Sequence, residues 1–205
     1  MADQATNVNF LLAGVGGQGT LLASDIIAEV GMTQDLDAKK SEVHGMAQRG
    51  GVVTSHVRWG QHVASPLCEQ GTVDYFVAQE MLEAVRWISY LRPGGTVILS
   101  QQQLPPSTTV FGGAVYPEES QILSALSERA GKILSLDAAA IAAGLGNRRA
   151  ANSVLLGALS SQLPLAEDDW LKVIVEKVPA RHQELNRQAF LAGRRGSWQI
   201  SPDAA

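Results

Sequence analysis

The sequence predicts an α/β fold: a mixed, mainly parallel sheet between helical layers, followed by a helical extension. Three observations carry that prediction. Short continuous apolar runs, such as Val8 to Ala13, alternate with stretches of helical period. Glycine- and proline-bearing turns, such as Gly14 to Gly19 and Pro93-Gly94-Gly95, separate them. From Asp137 onward the pattern is helical only.

Each element follows from local chemistry. Val8 to Ala13 reads as a parallel strand buried on both faces. Gln18 to Val30 places Leu21, Leu22, Ile26, Ile27 and Val30 at helical spacing and is expected to stop at Gly31. Asp37 to Val43 is a short polar strand, and the β-branched Gly51 to Trp59 is another. The loop between these two is too short for a helical crossover, so they are expected to pair antiparallel. Val73 to Ala78 is a strand, Glu80 to Leu91 a helix, and Thr96 to Ser100 a strand. Gln101 to Thr109 is a loop, Val110 to Tyr116 an edge strand, Glu118 to Ala130 a helix, and Lys132 to Leu136 a last strand. Helices are expected at Ala138 to Ala143, Asn147 to Leu163 and Asp168 to Val178. The chain thus divides into an α/β core at about 8–136, a helical extension at about 137–193 and a loose tail at 194–205, all in one domain.

Composition narrows the function. With 205 residues, 45% hydrophobic and 18% charged, the chain has enough apolar material for one well-packed core. A net charge of −4 supplies no field for nucleic acid, and the arginine pairs Arg148-Arg149 and Arg194-Arg195 read as solvated helix-end charges. No apolar run reaches membrane-spanning length, and no secretory leader is legible, so a cytoplasmic setting is expected. Cys68 is the only cysteine, which excludes an intrachain disulfide and a cysteine-ligated iron–sulfur cluster.

Two motifs carry the chemistry. Gly14-Val15-Gly16-Gly17-Gln18-Gly19 joins a strand to a helix, the arrangement that brings backbone N–H groups against a phosphate. The same glycines also serve tight helix-on-strand packing, so both roles stay open. A nicotinamide-binding reading requires an acid ending an apolar second strand; Asp35 and Asp37 have the spacing, but their surroundings are polar. The loop lacks a P-loop lysine, the four histidines lack zinc-ligand spacing, and no serine sits in a nucleophile elbow. The second motif, Glu42-Val43-His44-Gly45-Met46-Ala47-Gln48-Arg49-Gly50-Gly51, packs an imidazole, an amide and a guanidinium among glycines. Arg49 offers a planar fork for phosphate or carboxylate, and His44 and Gln48 can orient polar atoms. A structural ion pair at Arg49 with His44 satisfied by backbone is the competing reading.

Together these two loops resemble the gamma-type subunit of the 2-oxoacid:ferredoxin oxidoreductase family, in a form similar to its indolepyruvate branch. The likeness runs on through Ser65-Pro66, Val73 to Ala78, Leu91 to Gly95, Gly146-Asn147 and Asn152 to Gly157. It implies a three-layer Rossmann-like fold and a subunit of a cytoplasmic hetero-oligomer that is inactive alone. The implied reaction is oxidative decarboxylation of indolepyruvate or another arylpyruvate to the aryl-acetyl-CoA, with ferredoxin as acceptor. Thiamine diphosphate and 4Fe-4S clusters would belong to a larger partner subunit. Coenzyme A would contact this chain, with Gly14, Gly16, Gly17, Gln18 and Gly19 as the phosphate loop. Ser41, His44, Gln48 and Arg49 would line the second side or the subunit contact, with His44 and Arg49 as candidate supporting residues for catalysis. Trp170, Leu171, Ile174 and Val175 form an apolar stripe that fits either that partner or the core. Two other classes compete: a stand-alone dinucleotide-binding oxidoreductase, and a non-enzymatic interaction module.

Overall fold

The computed structural model describes residues 7–44, 51–105 and 115–200. The Asn7–Val15 strand (β1) alternates its side chains between two cores, as a strand buried on both faces must. Phe10 and Leu12 join one cluster and Leu11 and Ala13 the other. Helix α1 (Thr20–Thr33) packs on the first face, against β2 (Asp37–His44) and β3 (Val52–Gly60). It runs through Gly31 rather than stopping there, because Gly31 is a packing residue. A Cβ at that position would lie 2.3 Å from the Trp59 indole nitrogen. Asp35 takes the left-handed conformation that ends the helix, at φ 58°.

β3 pairs antiparallel with both β1 and β2, as the short connection requires. Strands β4 (Val73–Ala78), β5 (Leu91–Ser100) and β6 (Ala130–Leu136) then run parallel on the other side of β1. With a last short strand, β7 (Gln199–Ile200), the sheet order is β2-β3-β1-β4-β5-β6-β7. Between β4 and β5, α2 (Met81–Trp87) is shorter than the sequence predicts and passes through a single 3-10 turn. β5 begins before Pro93-Gly94-Gly95, which forms an irregularity within the strand instead of the helix stop. The predicted strand at Val110 to Tyr116 lies mostly outside the described residues; Val115 and Tyr116 are not in a strand.

Helices α2 and α3 (Glu119–Ser127) cover the second face, through Met81, Ala84, Ile122 and Leu126. The first face carries α4 (Ala138–Gly144), α5 (Ala151–Ser160), α6 (Glu167–Lys177) and α7 (Gln183–Arg195). These C-terminal helices share the Phe10–Trp59 cluster with the sheet and α1. The rings of Trp59 and Trp170 lie 6.5 Å apart, and those of Trp170 and Phe190 6.2 Å. Trp170 and Ile174 are fully buried, so the stripe on α6 belongs to the core. Helices α5 and α7 approach through Gly157 and Gly193: a Cβ on either would lie within 2.0 Å of the other helix's backbone oxygen. Instead of a loose tail, Gln199–Ile200 forms β7, antiparallel to β6. Trp198 ties it down, its indole donating to Gly193 O at 2.8 Å while its carbonyl accepts from Ser135 N at 3.0 Å.

Candidate functional site: a cleft at the strand ends

Strand order reverses direction between β1 and β4. The chain leaves β1 toward β2 and β3, whereas it leaves β4 toward β5 and β6. In open α/β sheets the crevice at such a switch point, beyond the carboxyl ends of the strands, is where ligands bind. A cleft of about 600 Å³ opens there, lined by Gly17, Gln18 and Gly19 after β1, Gln79 after β4 and Ser100 and Gln102 at the end of β5. The 3-10 turn Arg148–Ala150 and the helix that follows it (Ala151–Ser160, α5) add Arg148, Arg149 and Asn152 to its lining.

An amide network fixes the glycine loop. Gln18 Oε1 accepts from Val15 N at 2.6 Å, and its Nε2 donates to Gln79 O at 2.9 Å and Gln102 Oε1 at 3.1 Å. Gln79, 2% exposed, accepts from the Thr20 hydroxyl at 2.5 Å and donates to Asn152 Oδ1 at 2.6 Å. Asn152 closes the ring by donating to Gln18 O at 2.7 Å. The glycines then divide by role. Gly14 is buried, and a Cβ there would lie 2.5 Å from Gln79 Oε1, so it serves packing. A Cβ on Gly19, at φ 78°, would meet Asn152 Nδ2 at 2.4 Å. Gly17, at φ 100°, has open space beside it. Gly17, Gln18 and Gly19 line the cleft, whereas Gly14 and Gly16 are not among its lining residues. No described side chain caps α1, whose N-cap Gly19 and first-turn Leu22 line the cleft.

The two motifs meet. Gly16 N donates to Gly51 O at 2.9 Å, joining the glycine loop to the last residue of the second motif. His44, at the end of β2, stands opposite Val53, which stands opposite Gly14, so the second motif leaves the sheet at the cleft end. Gln48 and Arg49 lie outside the described residues. Ser41 is half-buried in β2, opposite His56, and does not line the cleft.

The acid expected by a nicotinamide site is not in place. Asp37 begins β2 rather than ending it, and β3 separates β2 from β1. Its carboxylate is held below the usual range, chiefly by the Val63 N–H at 2.8 Å. Glu80, after β4, is 1% exposed and occupied structurally, accepting from Tyr116 Oη, from Leu104 N at 3.1 Å and from Glu83 N at 2.8 Å. Burial, with help from that hydrogen bond, pushes the Tyr116 phenol well up. Cys68 is buried, its thiol pushed up to about 11, so it is no nucleophile. Among the described residues no group of three histidines, cysteines or carboxylates is arranged to hold a metal ion. No described helix is long and apolar enough to cross a membrane.

Sequence reasoning missed Gln79, Gln102, Arg148 and Arg149 as cleft residues. A usable signal existed for two of them: Gln79 directly follows a predicted parallel strand, and Gln102 follows another by two residues.

The geometry defines a doubly wound α/β domain with a cleft at its switch point. The chain belongs to the pyruvate ferredoxin/flavodoxin oxidoreductase family, whose model matches residues 9–196. It is 35% identical to indolepyruvate oxidoreductase subunit IorB of Thermococcus kodakarensis, over 90% of this chain and 93% of that one. It is equally identical to the IorB subunit of Methanothermobacter thermautotrophicus, over 91% of this chain and 96% of that one. Its fold matches 2-oxoglutarate:ferredoxin oxidoreductase from Magnetococcus marinus, solved with 2-oxoglutarate, coenzyme A and succinyl-CoA bound. That match has a TM-score of 0.72 at 20% identity and covers 97% of this chain and 33% of that one.

Proposed function

We propose that this chain is the small subunit of an indolepyruvate-type 2-oxoacid:ferredoxin oxidoreductase and that its cleft forms part of the coenzyme A site. The observation that carries the reading is the junction of the two motifs at the switch-point cleft, made by Gly16 N and Gly51 O. The residues present fit the group. The cleft has the volume of a small-molecule site, contains no carboxylate among its described lining residues, and exposes the backbone of Gly17 and Gly19. Likeness to the IorB subunits supports arylpyruvate as substrate and a larger partner subunit.

In this reading thiamine diphosphate and the iron–sulfur clusters reside on that partner, since a single cysteine cannot ligate a cluster here. Coenzyme A supplies the thiol that accepts the acyl group, while electrons leave to ferredoxin. This chain's residues bind and orient. The amides of the glycine loop face anionic oxygens, and Gln18 and Gln79 keep that loop rigid. His44, Gln48 and Arg49 then support the site or the subunit contact. In the same reading the chain is one gamma-type unit working in a cytoplasmic setting.

The test is reconstitution of indolepyruvate- and coenzyme A-dependent electron transfer to ferredoxin by the larger subunit, with and without this chain. Activity only with both present supports the reading. An unchanged rate in an assembled complex makes the chain a binding module, and reduction of NAD by the chain alone makes it a stand-alone oxidoreductase.

A further inference from the structure

We infer that Arg148 and Arg149 form a phosphate-binding pair in the cleft that the glycine loop also lines. The inference rests on the coenzyme A reading above and assigns it two residues that the motifs do not contain. Both arginines line the cleft, both are exposed, and among the described residues neither is ion-paired. They are also the only charged residues among the described lining. In a chain of net charge −4, the described lining of this cleft thus carries two guanidinium groups and no carboxylate. That is the electrostatic arrangement of an anion site, because a dianionic oxygen cluster matches the planar donors of two arginines.

The pair is also held in place. Asn147 Oδ1 accepts from Arg149 N at 3.0 Å, setting the turn that carries both arginines into α5. Three residues on, Asn152 donates to Gln18 O and accepts from Gln79, so the arginine wall and the glycine wall are tied by the same amide. Solvated helix-end charges need no such fixed distance from a facing loop. Arg194 shows the alternative: its guanidinium donates to Ser160 O at 2.7 Å and Leu165 O at 3.0 Å, a structural use.

The experiment uses the assembled complex with Arg148→Gln, Arg149→Gln and the double variant, measuring steady-state KM for coenzyme A and for the 2-oxoacid. Loss of each guanidinium is expected to raise KM for coenzyme A by about tenfold or more, with kcat and the 2-oxoacid KM little changed. Dephospho-coenzyme A distinguishes the phosphates. If the variants lose a preference for coenzyme A over the dephospho form, the pair holds the 3′-phosphate; if both forms lose equally, it holds the diphosphate. Leu22→Trp, which adds bulk to the exposed cleft wall, is the control. If it raises KM for coenzyme A and the arginine variants do not, the cleft assignment stands and the arginine pair falls. If none of the variants changes it, both fall. Loss of complex assembly in the arginine variants instead places the pair at the subunit contact and overturns the proposal.

Discussion

Gln79→Ala is the sharpest probe of how the cleft is built. The substitution keeps the backbone bonds, in which Gln79 N donates to Ala13 O at 2.8 Å and Gln79 O accepts from Gln18. It removes the side-chain bonds to Thr20 at 2.5 Å and Asn152 at 2.6 Å. Two neutral hydrogen bonds contribute about 1–3 kcal/mol together, and the Thr20 hydroxyl, 3% exposed, is left without its partner at a further cost of about 1 kcal/mol. The expected loss is about 2–4 kcal/mol, a fall in Tm of roughly 4–16 °C for a chain of this size. Urea unfolding of the purified protein measures it, with Gln101→Ala as reference: that side chain makes one 3.2 Å bond, to Ser135. Because Gln79, Gln18 and Asn152 act as one network, Gln79→Ala and Asn152→Ala are expected to be non-additive by about 0.5 kcal/mol or more. A loss no larger than that of Gln101→Ala, or strict additivity with Asn152→Ala, refutes the network as the element holding the loop.

Three further outcomes are expected. Gly157→Ala or Gly193→Ala forces α5 and α7 apart, since the added carbon meets backbone at 2.0 and 1.9 Å, and is expected to cost about 3 kcal/mol or more by chemical denaturation. The buried Trp170 indole N–H has no hydrogen-bond partner among the described residues, whereas that of Trp59 donates to Ile27 O at 3.0 Å; Trp170→Phe is therefore expected to be milder than Trp59→Phe by about 1 kcal/mol in the same assay. His56 is buried, accepts from Cys68 N and has its pKa lowered by that burial. The unfolded chain then binds more protons, so His56 makes stability fall as pH drops below the ordinary value of 6.5 toward the folded pKa. His56→Gln is expected to flatten that slope in urea midpoints taken at about pH 5 and 7.

Much of this architecture was legible because local pattern and tertiary placement agree. The apolar run at Val8 to Ala13 reads as a strand buried on both faces and is one, and the short second connection implies the antiparallel β2–β3 pair. Where the reading missed, a tertiary contact had overridden a local rule. Gly31 looks like a helix stop but makes room for Trp59, and Pro93-Gly94-Gly95 looks like a break but sits inside β5. Trp198 anchors a tail whose composition suggests none. The cleft was half legible. Its glycine loop is contiguous in sequence, whereas Gln79, Gln102 and Asn152 converge on it from separate strand and helix ends. Arg148 and Arg149 gave no signal because an arginine pair before a helix has the same spacing whether it faces solvent or a cleft.

Hydrogen exchange of the assembled complex with and without coenzyme A tests the central claim most directly. The account predicts slower exchange in the presence of coenzyme A for amides of the glycine loop and first turn of α1, residues 16–22, and for 148–155 at the start of α5. Coenzyme A that supports turnover while leaving both segments unprotected would contradict it, and would put the coenzyme A site wholly on the partner subunit.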